Sequence, residues 1–198
     1  MVTSNLIIFL HGIGASGAQL QLLTASWRPR LPDTSFATPD APFRTAYGGH
    51  QWFGVDGMQL DPARIQEARA AFDGSIKTVV GREGFDDNLA RIALVGVSQG
   101  AIVALDAVAT GRWKVGALVT FAGLLPPMKV SPSSNQTPVL LVHGADDRTI
   151  PPLASTIAAG QLGPAGFQVE LDIERGVGHT ISVPGTDKAI AFLRRKFA

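Results

Sequence analysis

The strongest constraint on this fold lies between residues 92 and 109. Ile92-Ala-Leu-Val-Gly-Val97 is a short apolar run rich in β-branched residues, the composition of a buried strand. Ala101 to Ala109 is apolar on nearly every face apart from Asp106, the pattern of a helix buried on most sides, and Gly111 is placed to end it. Between them stands Gly96-Val97-Ser98-Gln99-Gly100, a G-x-S-x-G. Its glycines let a strand turn sharply into a helix with the two backbones close together. Such a turn holds its serine in a strained position with Oγ exposed. The N–H of Gln99, at the start of the helix, points where negative charge develops on a bound carbonyl oxygen. Glycine-rich strand-to-helix turns are also common scaffolding, so the motif acquires its chemical meaning from its context.

The chain has 198 residues, 45% apolar and 17% charged, enough for a full hydrophobic core and too apolar for disorder. It reads as one domain, residues 1–198. A net charge of +1 gives no electrostatic case for nucleic acid or a membrane surface. The absence of cysteine excludes disulfides, thiolate catalysis and cysteine-based zinc sites. Leu6 to Leu10 is too short for a signal-peptide core, and no apolar run approaches a membrane span. The expectation is a soluble, cytoplasmic protein with no integral membrane association.

In chain order, Leu6 to Leu10 reads as a buried strand, followed by His11-Gly-Ile-Gly-Ala-Ser-Gly17 and a helix around Ala18 to Trp27. Gly12, Gly14 and Gly17 spell G-x-G-x-x-G. Asp40, beyond a strand at Ser35 to Thr38, stands where a ribose-binding acid would be. A nicotinamide oxidoreductase is therefore a genuine rival, although Tyr47, the sole tyrosine, has no lysine four residues on. Residues 39–57 lack periodicity, and a loop of that length is usually functional. Its Tyr47, His50, Trp52 and Phe53 suit either the wall of an apolar substrate pocket or anchors of the loop to the core; His50 reads as structural. Asp61-Pro62 starts a helix with Ile65, Ala68, Phe72, Ile76 and Val79 or Val80 inward, Gly74 as its weak point and Gly81 near its end. Val115 to Phe121 and Pro138 to His143 are further strands, separated by a proline-containing loop over Gly123 to Thr137. A helix from about Pro152 to Leu162, an edge strand over Phe167 to Ile173 with one solvated face, and a helix over about Thr186 to Phe197 complete the chain. The alternation implies an α/β fold, a mostly parallel sheet with helices on both faces.

Ser98, Asp147 and His179 each follow a strand end and so fall on one rim of such a sheet, where ligands bind. A serine hydroxyl needs a base in hydrogen-bond reach, and the base needs a carboxylate to fix its tautomer. The order Ser…Asp…His is that of α/β-hydrolases. His11 and His143, beside glycine at strand ends, read as turn-positioning residues, which leaves His179 as the best base.

These features, with Leu10-His-Gly-Ile-Gly-Ala-Ser-Gly17, Ala41-Pro42 with Arg44, Trp52-Phe53, His143-Gly-Ala-Asp-Asp147 with Ile150-Pro151, and Gly176-Val-Gly-His179, resemble the carboxylesterase and acyl-protein thioesterase (phospholipase/carboxylesterase) family of α/β-hydrolases across the whole chain. The resemblance implies the α/β-hydrolase fold, a three-layer α/β/α architecture. It puts the acid at Asp147 rather than Asp146 and the oxyanion hole at the backbone N–H groups of Ile13 and Gln99. It makes the glycine-rich loop an oxyanion loop rather than a nucleotide cradle. Trp52 and Phe53 are expected to bind substrate. Val97, Ala101 and Gly54 depart from the family pattern and bear on pocket shape. The implied activity is a carboxylesterase acting on small-molecule acyl esters of short to medium chain, without metal or cofactor, as a monomer or, by analogy, a homodimer. A thioesterase or lysophospholipase shares the chemistry, and a non-catalytic hydrolase-fold binding module is the remaining alternative.

Overall fold

The computed structural model describes residues 4–55, 61–132 and 137–198. Six parallel strands form one sheet, in the order β2 (Thr34–Ala37), β1 (Asn5–Leu10), β5 (Ile92–Val97), β6 (Ala117–Phe121), β7 (Val139–Gly144) and β8 (Val169–Glu174). The central strands β1, β5, β6 and β7 are buried on both faces, so alternate residues feed two cores. Leu6, Ile8, Leu10, Ile92 and Leu94 face one; Ile7, Phe9, Ala93 and Val95 face the other. Helices α2 (Pro62–Glu83), α3 (Gln99–Ala109) and α4 (Leu153–Leu162) cover the first core, and α1 (Gln21–Trp27) and α5 (Val183–Phe197) the second. The layers are therefore α/β/α. Among the described residues no helix is long and apolar enough to cross a membrane.

Helix α2 starts as its sequence dictates, with the Asp61 side chain accepting from the N–H of Ala63 and Pro62 at N1. It runs through Gly74 and ends at Gly84, whose φ of 76° makes a left-handed cap, three residues beyond Gly81. Its stripe Ile65, Ala68, Phe72, Ile76, Val79 and Val80 is buried. Helix α5 begins three residues before the expected Thr186. Ser182 caps it by accepting from the N–H of Gly185, and Pro184 occupies the first turn, where proline needs no N–H.

The aperiodic loop after Pro39 contains a small antiparallel hairpin, β3 (Phe43–Arg44) and β4 (His50–Gln51), turned by Gly48 and Gly49 at positive φ. Two-residue strands are too short for any alternation to show in sequence. Asp56 and Gly57 of that loop, and residues 133–136 of the expected Gly123–Thr137 loop, lie outside the described residues.

Candidate active site

The turn from β5 into α3 has the sharpness its glycines allow. Ser98 is held at φ 52° and ψ −117°, a strained conformation for a residue with a side chain. A Cβ on Gly96 would lie 2.5 Å from the Ala101 Cα, and one on Gly100 would lie 2.2 Å from the Leu10 carbonyl oxygen. No side chain fits at either place, so strand, helix and β1 meet backbone to backbone. The Ser98 N–H donates to Phe121 O at 2.9 Å, which ties the turn to the end of β6.

The three sequence-predicted side chains converge. Ser98 Oγ lies 2.9 Å from His179 Nε2, and His179 Nδ1 lies 2.7 Å from Asp147 Oδ2. A carboxylate only accepts, so Nδ1 carries the proton, and Nε2 of the neutral ring accepts from the serine hydroxyl. Asp147 Oδ1 accepts from the N–H groups of Thr149 and Ile150, at 2.8 and 3.0 Å. Burial alone would push the Asp147 carboxyl up. The hydrogen bond from His179 and the two backbone N–H groups outweigh it, so its pKa falls below the usual carboxylate range and it stays ionised. The loops carrying acid and base are packed together: Asp146 N–H donates to Val177 O, and a Cβ on Gly144 would clash with the carbonyl oxygens of Val177 and Gly178.

The glycine-rich loop stands directly beside the serine. A Cβ on Gly12 would lie 3.3 Å from Ser98 Cβ and 3.8 Å from its Oγ. Among the described residues, no acceptor pairs with the N–H of Ile13 or of Gln99. Both donors are therefore available next to the hydroxyl. The intervening peptide is fixed by His11, whose Nδ1–H donates to Gly12 O at 2.7 Å while its Nε2 accepts from the Ala41 N–H at 3.0 Å. A trans peptide points its N–H away from its C=O, so pinning Gly12 O aims the Ile13 N–H. His11 is buried, and burial lowers its pKa, which keeps the ring neutral as these two bonds require. His50 closes the loop from the far side: Gly14 N–H donates to His50 O and His50 N–H to Ala15 O, both at 2.8 Å. His50 Nδ1 bonds Ala41 O, so this histidine is a scaffold residue, as its sequence position suggested.

Of the two expected substrate-binding residues, Phe53 borders the cavity of about 630 Å³ beside the hairpin, whereas Trp52 lines neither of the two cavities there. Their side chains are in the core, 0% and 1% exposed, and Trp52 packs edge-on against Phe72. Trp52 Nε1–H donates to His11 O at 2.9 Å. The Gln99 side chain holds both residues by their backbones, with Oε1 accepting from the Trp52 N–H at 2.7 Å and Nε2 donating to Phe53 O at 2.9 Å. This use of Gln99 was not legible in sequence, because the motif requires only its main chain. Tyr47 is fully exposed at the hairpin tip. Two cavities of about 560 and 630 Å³ lie along the hairpin, and neither is lined by Ser98, Asp147 or His179. Asp40, the would-be ribose acid, accepts from the Gly17 N–H at 2.8 Å, so its carboxylate is engaged within the loop itself.

The sequence profile of the phospholipase/carboxylesterase family matches residues 2–196. The chain belongs to this family. Among its relatives, the Escherichia coli esterase YpfH is 28% identical over 194 residues, covering 96% of this chain and 82% of that protein. Acyl-protein thioesterase 1 of Gibberella zeae is 28% identical over 218 residues, covering 96% and 89%. Of solved structures, esterase PE8 superposes with a TM-score of 0.85 at 33% identity, covering 98% of this chain and 94% of that one. Arabidopsis thaliana SOBER1, in its L63A variant, does so with 0.84 at 25% identity over 98% and 99%. The chain has the α/β-hydrolase fold of this family.

Proposed function

We propose that the protein is a serine carboxylesterase that cleaves short- to medium-chain acyl esters through an acyl-enzyme on Ser98. The supporting observation is the unbroken hydrogen-bond path from Ser98 Oγ through His179 to Asp147, beside two unpaired main-chain donors. Ser98 attacks the ester carbonyl while His179 Nε2 takes its proton. Asp147 holds the ring in the required tautomer and stabilises the imidazolium. The N–H groups of Ile13 and Gln99 receive the oxyanion, a stabilisation worth roughly 3–4 kcal/mol per donor in such sites. His179 then protonates the departing alcohol. Water, activated by the same ring, hydrolyses the acyl-enzyme and restores Ser98. Apolar surface for an acyl chain is offered by Ile13, 47% exposed next to the serine. Trp52 and Phe53 act in this proposal as anchors that keep the oxyanion loop in place.

A thioester substrate requires the same steps with a thiolate leaving group, and the relatedness to an acyl-protein thioesterase favours testing it. Hydrolysis of p-nitrophenyl esters and of acyl thioesters over a range of chain lengths decides between them. Ser98→Ala is expected to lower kcat by roughly 10⁶-fold. Equal rates for wild type and variant would end the serine-hydrolase reading. Binding of a nicotinamide dinucleotide in a thermal-shift assay would return attention to the glycine motif.

A further inference from the structure

The ring of His143, near the end of β7, closes the loop that carries Asp147. It is buried and bonded at both nitrogens. Nε2 lies 2.8 Å from Ile150 O, and Nδ1 lies 2.7 Å from Ser155 Oγ on α4. A backbone carbonyl only accepts, so the proton is on Nε2. Nδ1 of the neutral ring then holds a lone pair, and the buried Ser155 hydroxyl donates to it. Asp147 Oδ2 lies 3.2 Å from the same Nε2. This is the oxygen that accepts from His179 at 2.7 Å. One carboxylate oxygen therefore accepts from the His179 N–H at 2.7 Å and lies 3.2 Å from the His143 Nε2, whose N–H is given to Ile150 O, while Ile150 in turn donates to Oδ1.

We infer that His143 is a positioning residue for the Asp147 carboxylate, with its tautomer set by the Ile150 carbonyl and its ring orientation held by Ser155. It fixes Oδ2 against His179 and moderates how strongly that oxygen holds the His179 imidazolium. The inference rests on the proposed esterase reading for its effect on rate, not for the contact itself. The titratable groups packed around the ring are few. Asp147 and His179 meet as described, α4 brings no charged side chain, and Asp146, Arg148 and Arg175 are exposed. On β8, Glu174 is bonded to Ser182, Asp172 to Lys188 and Glu170 to Arg195.

A carboxylate that loses a nearby N–H dipole holds a neighbouring cation more tightly. Without the Nε2–H, the His179 imidazolium should give up its proton only at higher pH. Asparagine reaches with its amide to about the Nδ1 position and glutamine to about the Nε2 position, so only His143→Gln keeps a donor toward Ile150 O and Asp147. The test is an NMR titration of the His179 Cε1–H in wild type, His143→Asn, His143→Gln and Ser155→Ala, with kcat and KM measured across the same pH range. The His179 midpoint is expected to rise by about 0.5 unit in His143→Asn. Ser155→Ala preserves the ring but frees it to tilt, and a smaller rise in the same direction is expected. His143→Gln should stay within about 0.1 unit of wild type. The acid limb of kcat/KM should follow these midpoints, with kcat falling several-fold in His143→Asn and KM little changed. Midpoints that do not move in His143→Asn and Ser155→Ala, or that move equally in His143→Gln, would reduce His143 to scaffolding. If His143→Asn does not fold, the comparison of Ser155→Ala with wild type decides alone. The titration needs no substrate. A wild type without ester hydrolysis therefore sinks the functional proposal while the midpoints still judge this one.

Discussion

Asp146 and Asp147 are adjacent, yet their surroundings separate them completely. Asp147 is buried and accepts from His179 and from two backbone N–H groups, whereas Asp146 is exposed and contributes its main chain to the packing of the histidine loop. Asp147→Asn is expected to cost on the order of 10⁴ in kcat, because an amide in place of the carboxylate stabilises the wrong imidazole tautomer. Asp146→Asn should stay within about tenfold of wild type on the same p-nitrophenyl ester; the reverse order would reassign the acid. The convergence of Ser98, Asp147 and His179 was legible in the sequence because each lies in the loop that follows a strand. Ser155 was not. It is an ordinary helix serine until the fold brings it 2.7 Å from His143. The pairing of Gln99 with Trp52 and Phe53 stayed hidden for a related reason: it depends on a loop whose sequence has no period.

At the scale of elements, hydrophobic alternation located β8 at the sheet edge, and its acidic residues pair with α5 and its cap, where Glu170 meets Arg195, Asp172 meets Lys188, and Glu174 accepts from Ser182. The apolar residues Leu171 and Ile173 remain 40% and 38% exposed. A period of two reveals which residues share a face, but a cationic helix can claim the polar one. A comparable exchange occurs in α3. Asp106, the lone carboxylate of a buried helix, is gripped by Arg69 through two bonds and by Arg112, which also reaches Asp73. That network clamps α2 to α3 and was visible in the sequence only as an anomaly. Central strand β6 carries an opposite case: the Thr120 hydroxyl is fully buried without a hydrogen-bond partner. An unsatisfied buried hydroxyl is costly, so Thr120→Val is expected to stabilise the protein by about 1–2 kcal/mol. Urea denaturation would register this as a higher midpoint at unchanged slope, and a lower midpoint would mean that the hydroxyl has a partner in solution.

Across the whole molecule, six parallel strands deliver the glycine-rich loop, Ser98, Asp147 and His179 to one rim, and two titratable groups built into that rim tie its geometry to global stability. His11 and Asp147 both have lowered pKa values in the folded chain, for different reasons. Burial penalises the His11 cation; for Asp147, hydrogen bonds to the anion overcome burial. The sign of the linkage is nevertheless the same. In each case the unfolded chain takes up a proton at a pH where the folded chain does not, so stability falls as pH falls. Both contributions are complete above pH ~6.5, the ordinary histidine value. The His11 part is lost first, as pH drops from that value toward the lower folded one. The Asp147 part follows only below the ordinary carboxylate value of ~3.9. A single proton sets the steepest slope of either stage at about 1.4 kcal/mol per pH unit. Protonation of His11 would also set a second N–H against the Ala41 N–H that its Nε2 accepts from, releasing the Gly12–Ile13 peptide. Urea midpoints from pH 8 to 3 should therefore fall in two steps. His11→Asn, which retains a donor near the Nδ1 position for Gly12 O, should remove the upper step and leave the lower one. An upper step that survives in that variant would have to come from another group, and the proposed link between loop geometry and acid stability would fail.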